Sequence, residues 1–410
     1  MSSIKDFFSN GDSDNAKGIA HKNNLIKRSI IGYMIVKPHV TLAELTRELH
    51  ISVPTITKLV GEMVEEGMVR DMGKIETAGG RRPNVFGLTN TAFYFAGVEV
   101  ARDNIRYVIS DLKNNITIRH IDPDFVLEDT PASLEAIASG IESFIKNSGV
   151  KRANILGVGV CIVGRANPQT GRSYKYFSFE PRSLSEVIRE RAGLRVLIEN
   201  NVRARCFAEY TLRDNQDEKN LLYLHLGRGI AIGMVLDGKL YYGKSSIAGE
   251  FGHTPFFDNE LICSCGKKGC LETEVSGMAI ENKMTALLDS GRSSILGNGR
   301  TAGQNAIHID RVIEAAKMGD SLSIELIEEA SEKAGKSVAF LLNIFNPETV
   351  IIGGALSQAG DYLMLPLLSS VNRYSLNLVY KDTAFLLSQM DDDAAALGVA
   401  MLMRNMVIGI

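Results

Sequence analysis

Cys263, Cys265 and Cys270 fall within one stretch of eight residues, and His253 stands ten residues before the first of them. Three thiolates and an imidazole make a closed tetrahedral set of the Cys3His type, with no coordination position left over for catalysis. The spacing therefore predicts one structural zinc ion per chain, held by His253, Cys263, Cys265 and Cys270; the alternative is three reduced, buried thiols. Disulfide pairing belongs to oxidising compartments. The first 20 residues are polar, carry Asp6, Asp12 and Asp14, and lack the basic-then-apolar order of a secretory signal. No run approaches the roughly 20 apolar residues of a membrane span. The expected setting is the cytoplasm, with no membrane partner. Cys161 and Cys206 are isolated in apolar segments.

The N-terminal ninety residues have a different texture. Ile26, Ile30, Tyr33 and Met34 recur at helical spacing until Pro38 stops them, so 23–37 reads as a helix. Thr41 and Glu44 form a T-x-x-E capping box ahead of Leu42, Leu45 and Leu49, which predicts a second helix to about His50. Ser52 is placed to cap a third, with Pro54 in its first turn and Ile56, Leu59, Val60, Met63 and Val64 along one face, ending near Gly67. Two short helices across a tight turn, the second with Thr55, Thr57 and Lys58 outward, match a helix-turn-helix whose second helix enters the major groove. Residues 68–71 and 84–88 read as strands around Gly79-Gly80-Arg81-Arg82-Pro83, a wing whose arginines suit a narrow minor groove. Ser52, Thr55, Thr57, Lys58, Arg81 and Arg82 are thus the candidate DNA contacts. A three-helix packing or dimerisation module would show the same helical spacing, without need of the arginine-bearing wing. Charge decides little: the first 90 residues hold 12 Lys and Arg against 10 Asp and Glu, and the remainder 33 against 38.

From Phe93 onward apolar strands alternate with helices, the signature of an α/β fold. Residues 95–100 and 105–111 have no helix between them and read as a hairpin opening a mixed sheet. A comparable start recurs at 221–224 and 230–236, which predicts two duplicated lobes with a ligand cleft between them. With 45% hydrophobic residues over 410 positions, both lobes have material for a core.

The segments Gly249-Glu250-Phe251-Gly252-His253, Cys263 to Glu272 (C-x-C-G-x2-G-C-L-E), Glu199-Asn200-Asn201, Asn346-Pro347-Glu348 with Ile351-Ile352-Gly353-Gly354, and Ala394-Ala395-Ala396-Leu397-Gly398 together resemble the ROK family of repressors, open reading frames and kinases. The resemblance covers nearly the whole chain, and the helix-turn-helix places it with the repressor branch, which is similar to xylose- and N-acetylglucosamine-responsive regulators. The implied fold is an all-α winged helix-turn-helix followed by an α/β two-lobed, actin/hexokinase-like (ribonuclease H-like) domain. Its implied bounds are a flexible N-terminus at 1–20, the winged helix at 21–90, a first lobe at 91–200 and 385–410, and a second lobe with the zinc loop at 201–384.

Kinases of that family bind ATP through two glycine-rich loops and use an Asp after an Asn as base on the sugar hydroxyl. Where the first loop would read D-x-G-G-T this chain has Glu99-Val100-Ala101-Arg102-Asp103, with side chains where backbone must approach phosphate. The second is Leu226-Gly227-Arg228-Gly229-Ile230-Ala231-Ile232-Gly233, with Arg and Ala at contact positions. Asn201 stands at the position of the base, and such a base contributes about 10²–10⁴-fold. The resemblance also implies that Asn200, Asn201, Glu250, His253 and Glu272 meet sugar hydroxyls, although Glu250 and Glu272 would serve equally as partners of the metal ligands. The resulting expectation is a non-enzymatic, sugar-responsive transcription regulator, a repressor, that binds operator DNA as a homodimer or tetramer and a sugar or sugar phosphate as effector, with residues 88–95 as the hinge. The alternative is an active ATP-dependent sugar kinase fused to a DNA-binding domain.

Overall fold

The computed structural model describes residues 18–74, 83–213, 217–297 and 307–410. The chain divides into two units, Met1–Ala204 with Asp392–Ile410, and Arg205–Asp391. The proposed flexible N-terminus lies almost wholly outside the described residues, as do Arg81 and Arg82 of the expected wing.

The first unit opens with α1 (Ile19–Val36), β1 (Val40–Thr41), α2 (Leu42–Leu49), α3 (Val53–Glu65), β2 (Val69–Lys74) and β3 (Asn84–Leu88). The capping box forms on both sides: the Glu44 N–H donates to Thr41 Oγ1 at 3.2 Å and the Thr41 N–H to Glu44 Oε2 at 2.8 Å. Helix α2 ends at His50, whose φ of 53° starts the turn into α3. Ile56, Leu59, Val60 and Met63 are the buried face of α3. The Lys27 ammonium, buried on α1, reaches Glu62 at 3.0 Å and Glu66 at 3.1 Å and so ties α1 to the last turn of α3. Strand β1 was not expected: two residues pair with Val85 and Phe86 of β3, making a three-stranded sheet β1-β3-β2 in a module read as helical apart from its wing. The Ser52 cap needs correction as well. Ser52 occupies the N-cap position of α3, but its hydroxyl bonds no backbone N–H. Pro54 removes one of the N–H groups a cap would serve, and the hydroxyl instead lies 2.9 Å from that of Thr55.

The unit continues through β4 (Tyr94–Val100), β5 (Ile105–Asp111), β6 (Ile116–Asp122), α4 (Pro131–Asn147), β7 (Ile155–Ile162), the short pair β8 (Ala166–Asn167) and β9 (Arg172–Ser173), α5 (Leu184–Ala192) and β10 (Arg195–Asn200), after which α6 (Asn201–Leu212) runs on into the second unit. Its main sheet has the order β10-β7-β4-β5-β6, with β10, β7 and β4 parallel and the β4-β5-β6 meander antiparallel. Every residue of β7 is buried, as a central strand covered on both faces requires.

The second unit comprises β11 (Leu221–Leu226), β12 (Ile230–Leu236), β13 (Lys239–Leu240), α7 (Glu272–Val275), α8 (Gly277–Asp289), α9 (Ile309–Lys317), α10 (Ser321–Phe345), β14 (Thr349–Gly353), α11 (Asp361–Tyr374), α12 (Asn377–Asp382) and β15 (Ala384–Leu387). Its sheet runs β13-β12-β11-β14-β15. Counted from its own first strand, each sheet has the order 3-2-1-4-5, so the duplication suggested by the two hairpin starts extends to the whole topology.

The chain then returns to the first unit as α13 (Ala394–Ile408). This helix lies against β4 and β7, and the approach is so close that a Cβ on Gly97 would run into the Ala396 carbonyl and one on Gly159 into that of Val399. Farther along, Ala400, Met403, Val407 and Ile408 join Ile30, Ile31 and Met34 of α1 and Leu88, Phe93 and Phe95 in a single apolar core. Residues 88–95 are therefore not a free hinge. Phe93 and Phe95 anchor the winged helix to the lobe, and the helix that completes this core comes from the far end of the sequence. Among the described residues no helix is long and apolar enough to cross a membrane.

Candidate functional site

The predicted ligand set assembles in the second unit. One donor atom from each of His253, Cys263, Cys265 and Cys270 lies within 4.8 Å of all the others. A tetrahedral ion with metal–sulfur bonds of about 2.3 Å has sulfur–sulfur edges near 3.8 Å. Cys265 Sγ and Cys270 Sγ are 3.6 Å apart and Cys263 Sγ is 3.4 Å from His253 Nδ1, which fits that polyhedron and is far from disulfide bonding. Burial, reinforced by the neighbouring thiol groups of Cys265 and Cys263, pushes the Cys270 thiol up to about 12. Four donor atoms at these separations form a group that could hold one metal ion.

Local geometry sets the ligands in place. Gly249 has φ 95°, and its position leaves no room for a Cβ against the Ile232 carbonyl; its own carbonyl accepts from Ile232 N–H at 2.9 Å, which fastens the Gly249–His253 stretch to β12. The Cys263 N–H donates to Lys267 at 2.8 Å and the Gly266 N–H to Cys263 at 2.8 Å, closing a tight turn that brings Cys265 back beside Cys263. With Nδ1 toward Cys263, the other imidazole nitrogen faces Glu250, at 3.8 Å from Oε2.

Glu272 is tied into the same structure. One carboxylate oxygen accepts from the Ile230 N–H at 3.1 Å and the other lies 3.4 Å from the Ser264 hydroxyl, so this side chain links the metal loop to the turn after β11. That turn belongs to the glycine-bearing segment Leu226-Gly227-Arg228-Gly229-Ile230. Its Gly227 carbonyl accepts from the Gly277 N–H at 2.8 Å and its Arg228 carbonyl from the Met278 N–H at 3.3 Å, which occupies donors in the first turn of α8. Arg228 points its guanidinium toward Glu281 at 3.9 Å.

In the first unit, Ala101, Arg102 and Asp103 lie in the β4–β5 hairpin turn, where the Ala101 N–H donates to the Asn104 carbonyl at 3.1 Å. Asn200 is buried at the end of β10 with both ends of its carboxamide engaged: Nδ2 donates to Gly164 at 2.8 Å and Oδ1 accepts from the Arg203 N–H at 3.0 Å. This makes Asn200 the cap of α6. Asn201 is half-buried, and its carboxamide has no hydrogen bond among the described residues. Sequence reading missed the buried pair beneath them, in which Arg203 Nε donates to Glu199 at 2.7 Å and its Nη2 to the Ala166 carbonyl at 2.8 Å. An i, i+4 Glu–Arg spacing was the available signal.

On the winged helix, Thr57 and Lys58 are exposed and Thr55 is half-buried. Among the described residues Lys58 approaches Glu62, at 3.9 Å, with its side chain largely exposed.

A winged helix-turn-helix DNA-binding model matches residues 23–70, and the ROK family model matches residues 95–406. The xylose repressor of Caldicellulosiruptor bescii is 27% identical over 388 residues, spanning 93% of this chain and 95% of that one. A glucokinase of Streptomyces coelicolor is 30% identical over 319 residues, 75% of this chain and 97% of the enzyme. In three dimensions, a ROK family transcriptional regulator, a homologue of the Escherichia coli Mlc protein, superposes with a TM-score of 0.79 at 24% identity, covering 94% of this chain and 98% of that one. A two-lobed fold with duplicated sheets, a Cys3His cluster beside a Gly-Glu-x-Gly-His turn, and a family match over some three quarters of the residues lead to one assignment: this chain belongs to the ROK family.

Proposed function

We propose that the protein is a sugar-responsive transcription repressor that binds operator DNA through α3 and the wing and carries a kinase-like domain without kinase chemistry. The observation that carries this reading is the shared core of α1, Phe93, Phe95 and α13, which makes the DNA-reading module and the first lobe one body. A change in that lobe then moves the recognition helix directly. Likeness to the xylose repressor along nearly the full chain supports the same reading.

Within the first unit, Asn201 offers a free carboxamide to a hydroxyl but cannot accept its proton as a carboxylate does. Within the second, Glu250, His253 and Glu272 are the proposed hydroxyl ligands. Asn200 caps α6 and so holds Asn201 at its start, and its remaining N–H is a further proposed donor to a sugar hydroxyl. The metal of the Cys3His cluster is proposed to be zinc, which favours tetrahedral sulfur and imidazole donors; when bound it fixes the loop that presents Glu250 and Glu272. The functional species is proposed to be a homodimer, because one recognition helix reads only a few base pairs.

The test is fluorescence anisotropy on an operator fragment at fixed salt. The cognate sugar is expected to weaken binding by roughly 5–150-fold, the usual span of allosteric coupling, and Glu250→Ala to abolish that response while sparing binding without sugar. A sugar shown by calorimetry to bind, yet leaving DNA affinity unchanged, would refute the proposal. The likeness to a glucokinase supports a second reading, a working kinase with a DNA-binding domain attached. Turnover above background in a coupled assay with ATP and any aldohexose or pentose would establish it; none is expected, in the wild type or in Asn201→Asp, since both glycine loops are altered.

A further inference from the structure

Strand β6 is an edge of the first unit's main sheet, and its alternate residues Ile118, His120 and Asp122 share one face with Tyr107 of β5, which stands directly opposite His120. Helix α4 packs on this face through Phe144, whose ring centre is 5.1 Å from that of Tyr107 and 6.3 Å from that of His120. A cavity of about 330 Å³ opens between strand and helix, with the three rings on its wall. Its polar groups are uncommitted. The Tyr107 side chain is 2% exposed, yet its hydroxyl makes no hydrogen bond among the described residues. The same holds for the side chains of Asp122, Ser143 and Asn147, which also line the cavity. Gly140 gives the hydroxyl its place. It stands in the middle of α4, where glycine is unfavourable, and a Cβ there would fall 2.5 Å from the Tyr107 oxygen. A buried hydroxyl without a partner is unfavourable as well. Stability of the fold accounts for neither residue.

We infer that this cavity is a binding site for a small, flat, amino-bearing nitrogen heterocycle of the nucleobase type, separate from the residues proposed to meet sugar. Aromatic walls favour a planar ring. Burial, and then the nearby Asp122 carboxylate, push the ionisation of Tyr107 upward, so its hydroxyl is a neutral donor that needs an acceptor on the ligand. The Asp122 carboxylate only accepts, and needs N–H groups. A ring nitrogen next to an amino group supplies both along one edge. An anionic ligand is disfavoured, because Arg119 at the rim pairs with Asp393 at 2.7 Å and leaves the Asp122 charge uncompensated. The volume lies at the low end of small-molecule sites and suits one or two rings.

Ligand-observed NMR titration of the full-length protein tests the assignment, with cytosine and adenine set against 2-pyrimidinone and purine, the same rings without the amino group. The amino compounds are expected to bind with dissociation constants on the order of 1 mM or tighter, as suits about eight to ten non-hydrogen atoms. The amino-free rings should bind about tenfold more weakly or worse. Tyr107→Phe, which deletes the hydroxyl alone, should weaken the amino compounds by about tenfold, and Asp122→Asn by about tenfold or more. Neither variant should melt below the wild type, since neither group has a hydrogen-bond partner in the fold. Three results would each overturn the inference: no saturable binding of cytosine or adenine up to about 10 mM, equal affinity for the amino-free rings, or a folded variant of either kind that binds as the wild type does. A clear fall in the melting temperature of Tyr107→Phe overturns it too, by making the hydroxyl structural. Because neither DNA nor sugar is present, this result and the regulator reading stand or fall separately.

Discussion

The two units share one strand order and differ in what is attached to it. In the first, the sheet is closed by α13, whose far end completes the core of the winged helix. In the second, the segment between β13 and α8 is given over to the Cys3His loop and Glu272. The same five-stranded scaffold thus supports a module joined to it through an apolar core and a loop organised around a cluster of polar and sulfur donors. Function resides in these attachments, which is why fold alone does not separate the repressors of this family from its kinases.

The sharpest way to break the comparison is to remove the metal. Cys270→Ser, or exhaustive chelation, should release one equivalent of metal and collapse the second unit's loop while leaving the first unit folded. A structural zinc site contributes folding free energy outright, so several kcal/mol are at stake. For a unit of this size each kcal/mol is worth about 2–4 °C, so the second unit's melting should fall by roughly 10 °C or more in calorimetry. Equal destabilisation of both units would show that they do not melt separately and would remove the basis of the comparison.

Gly97 tests the other attachment. Because the clash met by a Cβ there is with backbone of α13, no side chain can swing aside, and Gly97→Ala should cost about 1–3 kcal/mol, the range for overpacking a well-filled core. The loss should appear in the first unit and in DNA binding, with metal content unchanged. A variant as stable as the wild type would mean that α13 docks loosely and cannot hold the winged helix in register with the sheet.

How much of this was legible in the sequence follows from how local each cause is. The capping box at Thr41 and Glu44, the Cys3His spacing and the paired hairpin starts are decided within about 20 residues, and all three are found. What escaped depends on partners far away in the chain. Strand β1 exists because β3, some 45 residues on, presents an edge to Val40 and Thr41. Residues 88–95 looked like a linker because Met403 and Val407, which bury Phe93 and Phe95, are about 310 residues distant. Asn200 was grouped with the sugar-contacting residues by its motif, and only the helix start at Asn201 shows that its carboxamide also caps α6.

The smallest expected effect lies at the start of α2. The Lys37 ammonium, 2.7 Å from Glu44, and the Thr41 N–H hold the Glu44 carboxyl below its ordinary range. Its folded form therefore prefers the ionised state, and the stabilisation is complete above the usual carboxylate range and disappears as pH falls through the lowered value. Glu44→Gln keeps an acceptor for the Thr41 N–H but loses the charge, so near neutral pH it should cost about 0.5–1 kcal/mol, the scale of a cap with a surface ion pair. Global unfolding is too coarse to register so local a change. Hydrogen exchange at the Glu44 and Leu45 amides is the suitable measurement, and it should quicken in the variant by about 2–5-fold, the factor that such an energy implies for local opening. The difference between variant and wild type should close as the buffer is taken into the acid range, where Glu44 is itself neutral. If the two proteins exchange alike at neutral pH, the ion pair contributes nothing in solution, and the helix-turn-helix is held by its buried leucines and isoleucines alone, in contrast to a metal loop held almost wholly by polar ligands.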